Sequence, residues 1–199
     1  VTLLETIRCL DGDLENLSYH EARVYRARRE LFGATDRWQL DELIQLPENL
    51  TPGQVYRCRV TYGAERIESV EFIPYQIRPV RSLELVNADA LDYAHKYADR
   101  SALNAFVERS TADDVLFVKN GLLTDTSYAN VALFDGSFWY TPHQPLLAGT
   151  RRAALLAAGV LIPERLAVED LEYFQKIRLL NAMLRWEEGP EVAVGDVRR

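Results

Sequence analysis

The chain has 199 residues, enough for one domain or two small ones, and is 48% hydrophobic and 27% charged, the composition of a globular protein. A net charge of −7 argues against nucleic acid as the main partner. No apolar run of about 18 residues occurs, which excludes a membrane-spanning helix.

The segment at 3–9 is apolar and β-prone, and Asp11-Gly12 is a hairpin turn signal. Ser18-Tyr19-His20-Glu21 has the form of a capping box, so a helix is expected from Ser18 to about Leu31, with Gly33 as its stop. A second short helix is expected around 38–46, ended by Pro47. Residues 54–62 and 66–75 alternate around Gly63, as in a β-hairpin. Residues 78–90 show little periodicity and read as a linker. A helix is expected over 101–109, then strands at 114–119, 129–134 and 137–141, with turns at Asn120-Gly121 and Asp135-Gly136. The intervening 122–130 segment reads as a polar connection, either a wide loop or a stretch presenting a carboxylate to a cleft. The run 151–158 is strongly helix-prone and Gly159 stands where a terminating glycine belongs. A last β-rich stretch covers 177–184. The expected fold is mixed α/β with mostly antiparallel sheets: a small lobe over 1–85 and a larger one over 86–199.

Nucleotide-binding, zinc-protease and serine-hydrolase motifs are all missing, and no metal site is expected. Cys9 and Cys58 have no metal-ligand spacing. With no secretory pattern at the first residues, they read as reduced, buried thiols of a cytoplasmic protein. Of 23 basic residues only Lys96, Lys119 and Lys176 are lysines. Lys96 sits among apolar and aromatic neighbours just before a helix. Burial there would lower its pKa and free the amine to attack a carbonyl, although local composition by itself favours a surface lysine. Arg23 lies at the edge of the helix face formed by His20, Val24, Ala27 and Leu31, where it reaches either an anion or a core carboxylate. Gly149-Thr150 opens the Ala-rich helix, a place where backbone N–H groups and a hydroxyl bind phosphate or where threonine simply caps.

Taken in order, these segments resemble the class IV aminotransferase family, the fold type of branched-chain and D-amino-acid aminotransferases and of aminodeoxychorismate lyase. Glu5-Thr6-Ile7-Arg8 followed by Asp11-Gly12 looks like its F-E-T-I-R-x-x-D-G opening, and His20-x-x-Arg23 like its H-x-x-R-L helix. Lys96-x-x-x-Arg100 looks like K-x-x-N-R, Thr124 to Asn130 like T-E-x-S-x-S-N, and Leu146 to Arg151 like L-x-G-I-T-R. Thr141-Pro142 and Asn181-Ala182-Met183 resemble two further family segments.

The resemblance implies an enzyme dependent on pyridoxal 5′-phosphate. Lys96, in the larger lobe, would form the internal aldimine and move protons. Arg23 would bind the cofactor phosphate together with Gly149 and Thr150. Asp125 would face the pyridine nitrogen. Asn181 and Ala182 would lie near the phosphate or the substrate carboxylate, and Arg8 and Arg100 are candidate substrate groups. The substrate would be an amino acid or aminodeoxychorismate, processed by transamination or by lyase chemistry, in a homodimer. Three features depart from the pattern. Asp125 stands where the family usually has glutamate, the glycine of the helix-opening segment is displaced by one, and the sequence opens at the E-T-I-R strand without the usual preceding strand. The last departure motivates an alternative: a degenerate relative that binds the cofactor or a protein partner without turnover.

Overall fold

The computed structural model describes residues 1–199, which divide into two compact units. The first comprises Val1–Ile77 with His95–Asp99, and the second Arg78–Ala94 with Arg100–Arg199. The mixed α/β class with mostly antiparallel sheets is the one expected from sequence.

In the first unit the chain runs β1 (Leu3–Leu10), β2 (Asp13–Leu14), α1 (Leu17–Phe32), α2 (Leu40–Leu43), β3 (Val55–Tyr62) and β4 (Ile67–Pro74). The strands form one antiparallel sheet in the order β2-β1-β3-β4. Strand periodicity puts Leu3, Ile7 and Cys9 on one face of β1, where they share a core with Val24 and Ala27 of α1 and with Cys58 and Val60 of β3. Helix α1 ends where sequence places its end. Gly33 takes the left-handed conformation at φ 70°, its N–H bonds the Arg29 carbonyl, and the Ala34 N–H bonds that of Arg28.

The start of α1 differs from expectation. The cap is Asn16, at φ 55°, so Ser18 and Glu21 lie inside the helix and form no capping box. The Glu21 carboxylate instead accepts the Leu40 N–H at 2.8 Å, capping α2. Helix α2 is only four residues long. Trp38, expected inside it, lies under the Arg28 guanidinium at 3.7 Å from the ring centroid.

The second unit contains β5 (Leu83–Asn87), α3 (Ser101–Arg109), β6 (Asp114–Lys119), β7 (Leu122–Thr126), β8 (Asn130–Phe134), β9 (Trp139–Pro142), α4 (Thr150–Ala157), β10 (Ile162–Glu164), β11 (Lys176–Leu180), β12 (Glu191–Ala193) and β13 (Val197–Arg198). They build a nine-stranded mixed sheet in which β5 pairs in parallel with β6 and β13, and β9 with β10. Its main core includes Leu116, Leu123, Val131, Leu133, Ile177 and Leu179.

Four expectations change here. Residues 78–90 are not a linker, because 83–87 form β5 within the sheet. The 122–126 stretch is not a loop but strand β7, turned back on β6 at Asn120-Gly121, both residues having positive φ. The expected cut at residue 85 falls inside β5. Lys96 moves with it: instead of belonging to the larger unit, residues 95–99 return to the first one. The reason is backbone pairing, since the Leu4 N–H bonds the Lys96 carbonyl at 2.9 Å and the Ala98 N–H bonds that of Thr2 at 3.0 Å.

Leu83 is fully buried in β5. Leu83→Ala is therefore expected to lower the free energy of unfolding by about 2–5 kcal/mol in urea titrations, where a linker residue would change it by less than about 0.5 kcal/mol.

Candidate functional site

The first unit holds a buried charged cluster beneath α1. Glu5 shares its face of β1 with Leu3 and Ile7, so its carboxylate points into the core and is fully buried. Helical spacing puts His20 and Arg23 on the inner stripe of α1, opposite it. Arg23 grips the carboxylate with two bonds, Nε to Oε1 at 2.8 Å and Nη2 to Oε2 at 2.5 Å. His20 Nδ1 lies 2.6 Å from Oε2. Burial opposes ionisation of Glu5, yet the Arg23 charge and the bonds from His20 and Arg23 overcome it and hold the carboxyl at about 2. Burial lowers the pKa of His20, with Lys96 and Arg23 adding to the effect, so the ring is neutral at neutral pH and its Nδ1–H donates to Glu5.

Lys96 thus stands within electrostatic reach of His20, on a backbone stitched to the first residues of β1. Arg8 is on the opposite face of β1, where its Nε donates to Glu15 at 3.2 Å. Arg57, directly across from Arg8 on β3, has a buried Nε with no hydrogen-bond partner.

The second unit holds a buried carboxylate of the opposite kind. Asp125 ends β7 and Asn130 begins β8, paired directly across the strands. Asn130 Nδ2 donates to Asp125 Oδ1 and to the Leu147 carbonyl, both at 2.8 Å, and the Leu147 N–H donates to Asp125 Oδ2 at 2.8 Å. These bonds lash the loop before α4 to the strand pair. Gly149 follows, and a Cβ there would collide with Asn130 Oδ1, so no other residue fits without a shift. Thr150, almost fully buried, opens α4. Desolvation raises the Asp125 carboxyl to about 7; the Leu147 and Asn130 donors and the Arg152 charge only partly oppose it.

Arg151 Nη2 lies 3.5 Å from the Ala182 carbonyl, which brings the 181–183 turn to the start of α4. Asn181 Oδ1 accepts the Met183 N–H at 2.9 Å, shaping that turn. Arg100 Nη2 donates to the Ser127 carbonyl at 2.6 Å.

Of the residues singled out from sequence, Arg23 lies in the buried Glu5 cluster, half-buried Lys96 acts on His20 electrostatically, and Asp125, Gly149 and Thr150 lie together in the second unit. Glu5, His20 and Asn130 lie within the same motifs, and the fold adds them to these clusters. Glu5 carries a signal in its strand phase, since a carboxylate placed between Leu3 and Ile7 on the apolar face needs a cation. Arg57 carries no signal without the β1–β3 register.

The class IV amino-transferase family pattern matches residues 2–187. An uncharacterized protein of Haemophilus influenzae is 38% identical over 184 residues, covering 91% of this chain and 97% of its own. A candidate 4-amino-4-deoxychorismate lyase from Haemophilus somnus superposes with a TM-score of 0.82 at 30% identity, over 92% of this chain and 96% of that one. A hypothetical aminotransferase from Mycobacterium tuberculosis in a pyridoxal-phosphate-bound form gives a TM-score of 0.73 at 20% identity, over 96% and 80%. The match spans both units and every motif described above, and the chain belongs to the class IV aminotransferase family.

Proposed function

We propose that the chain is a pyridoxal 5′-phosphate enzyme that acts on a small amino compound, with lyase chemistry of the aminodeoxychorismate type as its leading activity. The observation that carries the cofactor assignment is the Asp125 cluster: a buried carboxylate held by two neutral N–H donors, with Asn130 packed against Gly149 at the start of α4. A carboxylate in that state is short of a cation, and a protonated pyridine nitrogen is one. Each Asp125 oxygen accepts one of these bonds and retains capacity for another. The N–H groups at the start of α4 and the Thr150 hydroxyl suit a phosphate. These features support a fit to the cofactor.

When bound, pyridoxal 5′-phosphate supplies an electron sink for the pair left on the substrate carbon after proton loss. Lys96 takes that proton at Nζ and returns it. Arg23 in the first unit, and Gly149 and Thr150 in the second, are the groups that would hold a phosphate. Asp125 keeps a proton at the pyridine nitrogen. The 181–182 turn, near Arg151, and the Arg8–Arg57 pair offer groups for substrate carboxylates. The lyase reaction releases pyruvate from aminodeoxychorismate and leaves 4-aminobenzoate. The 30% identity and TM-score of 0.82 to the candidate lyase support this over transamination. The family's homodimeric assembly accompanies the proposal.

Incubation with the cofactor followed by borohydride is expected to label Lys96; a label on another residue, or none, would sink the assignment. Lys96→Ala should cut turnover by about 10²–10⁴-fold, the range for loss of a general acid–base. The lyase leaves the cofactor spectrum unchanged after turnover, whereas an amino donor that converts it to the amine form marks a transaminase.

Asp125 also makes a prediction about stability. Its carboxyl rises from 3.8 to about 7 on folding, so the folded protein holds a proton that the unfolded chain releases. Its contribution is full below about pH 4 and is lost as pH rises to about 7, with a slope of at most about 1.4 kcal/mol per pH unit. Asp125→Asn should remove that slope from urea titrations of the cofactor-free protein between pH 4 and 7.

A further inference from the structure

We propose that Glu5 and His20 are positioning residues that set the protein's affinity for the phosphate of its cofactor by fixing the rotation of the Arg23 guanidinium; the proposal rests on the cofactor reading given above. A guanidinium on a long side chain is ordinarily free to turn, and the cost of holding it still is met when the anion arrives. Here the cost is met in advance. Nε and Nη2 of Arg23 are both committed to Glu5, and because the group is planar these two bonds fix where its remaining N–H bonds point.

Glu5 is in turn unable to swing. It lies on a central strand, paired through β1–β3, and its Oε2 is also held by His20 at 2.6 Å. His20 contributes no charge, since burial keeps it neutral. It therefore fixes the carboxylate without adding a competing cation. The same strand is bonded to the Lys96 backbone through Leu4, so the phosphate-binding arginine and the lysine are referred to one rigid element.

Charge and geometry make opposite predictions for Glu5, which is what makes the idea testable. A mere counter-charge to Arg23 would weaken anion binding, so removing it would tighten binding. A positioning carboxylate acts through its length, so shortening it at constant charge would loosen binding. The experiment measures dissociation constants of the cofactor-free protein for pyridoxal 5′-phosphate and for pyridoxal, which lacks the phosphate, by equilibrium dialysis. Glu5→Asp is expected to weaken the phosphorylated ligand about tenfold, the effect of one charge-assisted hydrogen bond, and to leave pyridoxal within twofold. In an Arg23→Gln background Glu5→Asp should have no further effect. His20→Leu should weaken the phosphorylated ligand by about threefold, and His20→Asn, which keeps a donor near the Nδ1 position, should restore it; this pair decides the matter should Glu5→Asp fail to fold.

Equal losses for the two ligands would make the cluster merely structural and overturn the proposal. So would unchanged affinity in Glu5→Asp, tighter binding in Glu5→Gln with no change in Glu5→Asp, or additive effects with Arg23→Gln. If the wild-type protein shows no preference for the phosphorylated ligand, the assignment of Arg23 to a phosphate falls first, and the proposal with it.

Discussion

A carboxylate cannot be taken out of water uncompensated, and each unit of this protein is organised around one that has been. In the first unit Glu5 is compensated by a full charge. Arg23 grips it with two bonds, and its pKa falls to about 2 although burial pushes the other way. In the second unit Asp125 is compensated mainly by an amide and a backbone N–H, and its pKa climbs to about 7. The two carboxylates differ little in burial. They differ in whether a cation has been supplied, and that difference sets their pKa values apart.

The local folds follow from these requirements. Strand β1 exposes Glu5 to α1 because of its two-residue repeat, and α1 answers with His20 and Arg23 because of its helical one. Around Asp125 the same demand is met by a strand pair and a loop. Asn130 stands opposite and reaches both the carboxylate and the Leu147 carbonyl, so one amide sets the distance between β8 and the loop leading to α4. Gly149 is then forced, since the space its side chain would need is taken by that amide. The aspartate in place of the family's usual glutamate is consistent with this close stitching: a shorter side chain keeps its carboxylate at the strand end, within reach of the Leu147 N–H.

Arginine chemistry recurs across the molecule for the same reason. Arg28 is buried and donates to the Ala64 and Asp36 carbonyls while lying over Trp38. Arg152 is buried against Thr141 and the Pro142 carbonyl. Arg178 bonds Glu191 and stacks against Trp139 and Trp186. A planar, permanently charged fork closes several backbone acceptors at once, which lysine does not. The scarcity of lysine leaves Lys96 chemically distinct in its unit.

Much of this was legible in the sequence. The apolar, β-prone run at 3–9 marks β1, the Gly33 stop and the Asn120-Gly121 turn declare their own backbone angles, and the ordered motifs mark the family. These are local properties, carried by periodicity, by residues suited to special φ values, and by spacing. What tertiary structure alone decided is non-local. Leu83–Asn87 is a strand because β6 lies beside it in parallel, a partner found almost thirty residues further on. Glu21 caps a different helix from the one it lies in, because its carboxylate reaches Leu40 rather than the first turn of α1. Lys96 joins the first unit because two backbone hydrogen bonds draw 96–98 onto β1, and backbone bonds of this kind leave no mark in side-chain pattern. The sequence by itself determined which groups are available for chemistry; only the fold decided which of them meet, since burial and pairing are relations between segments and not properties of either one.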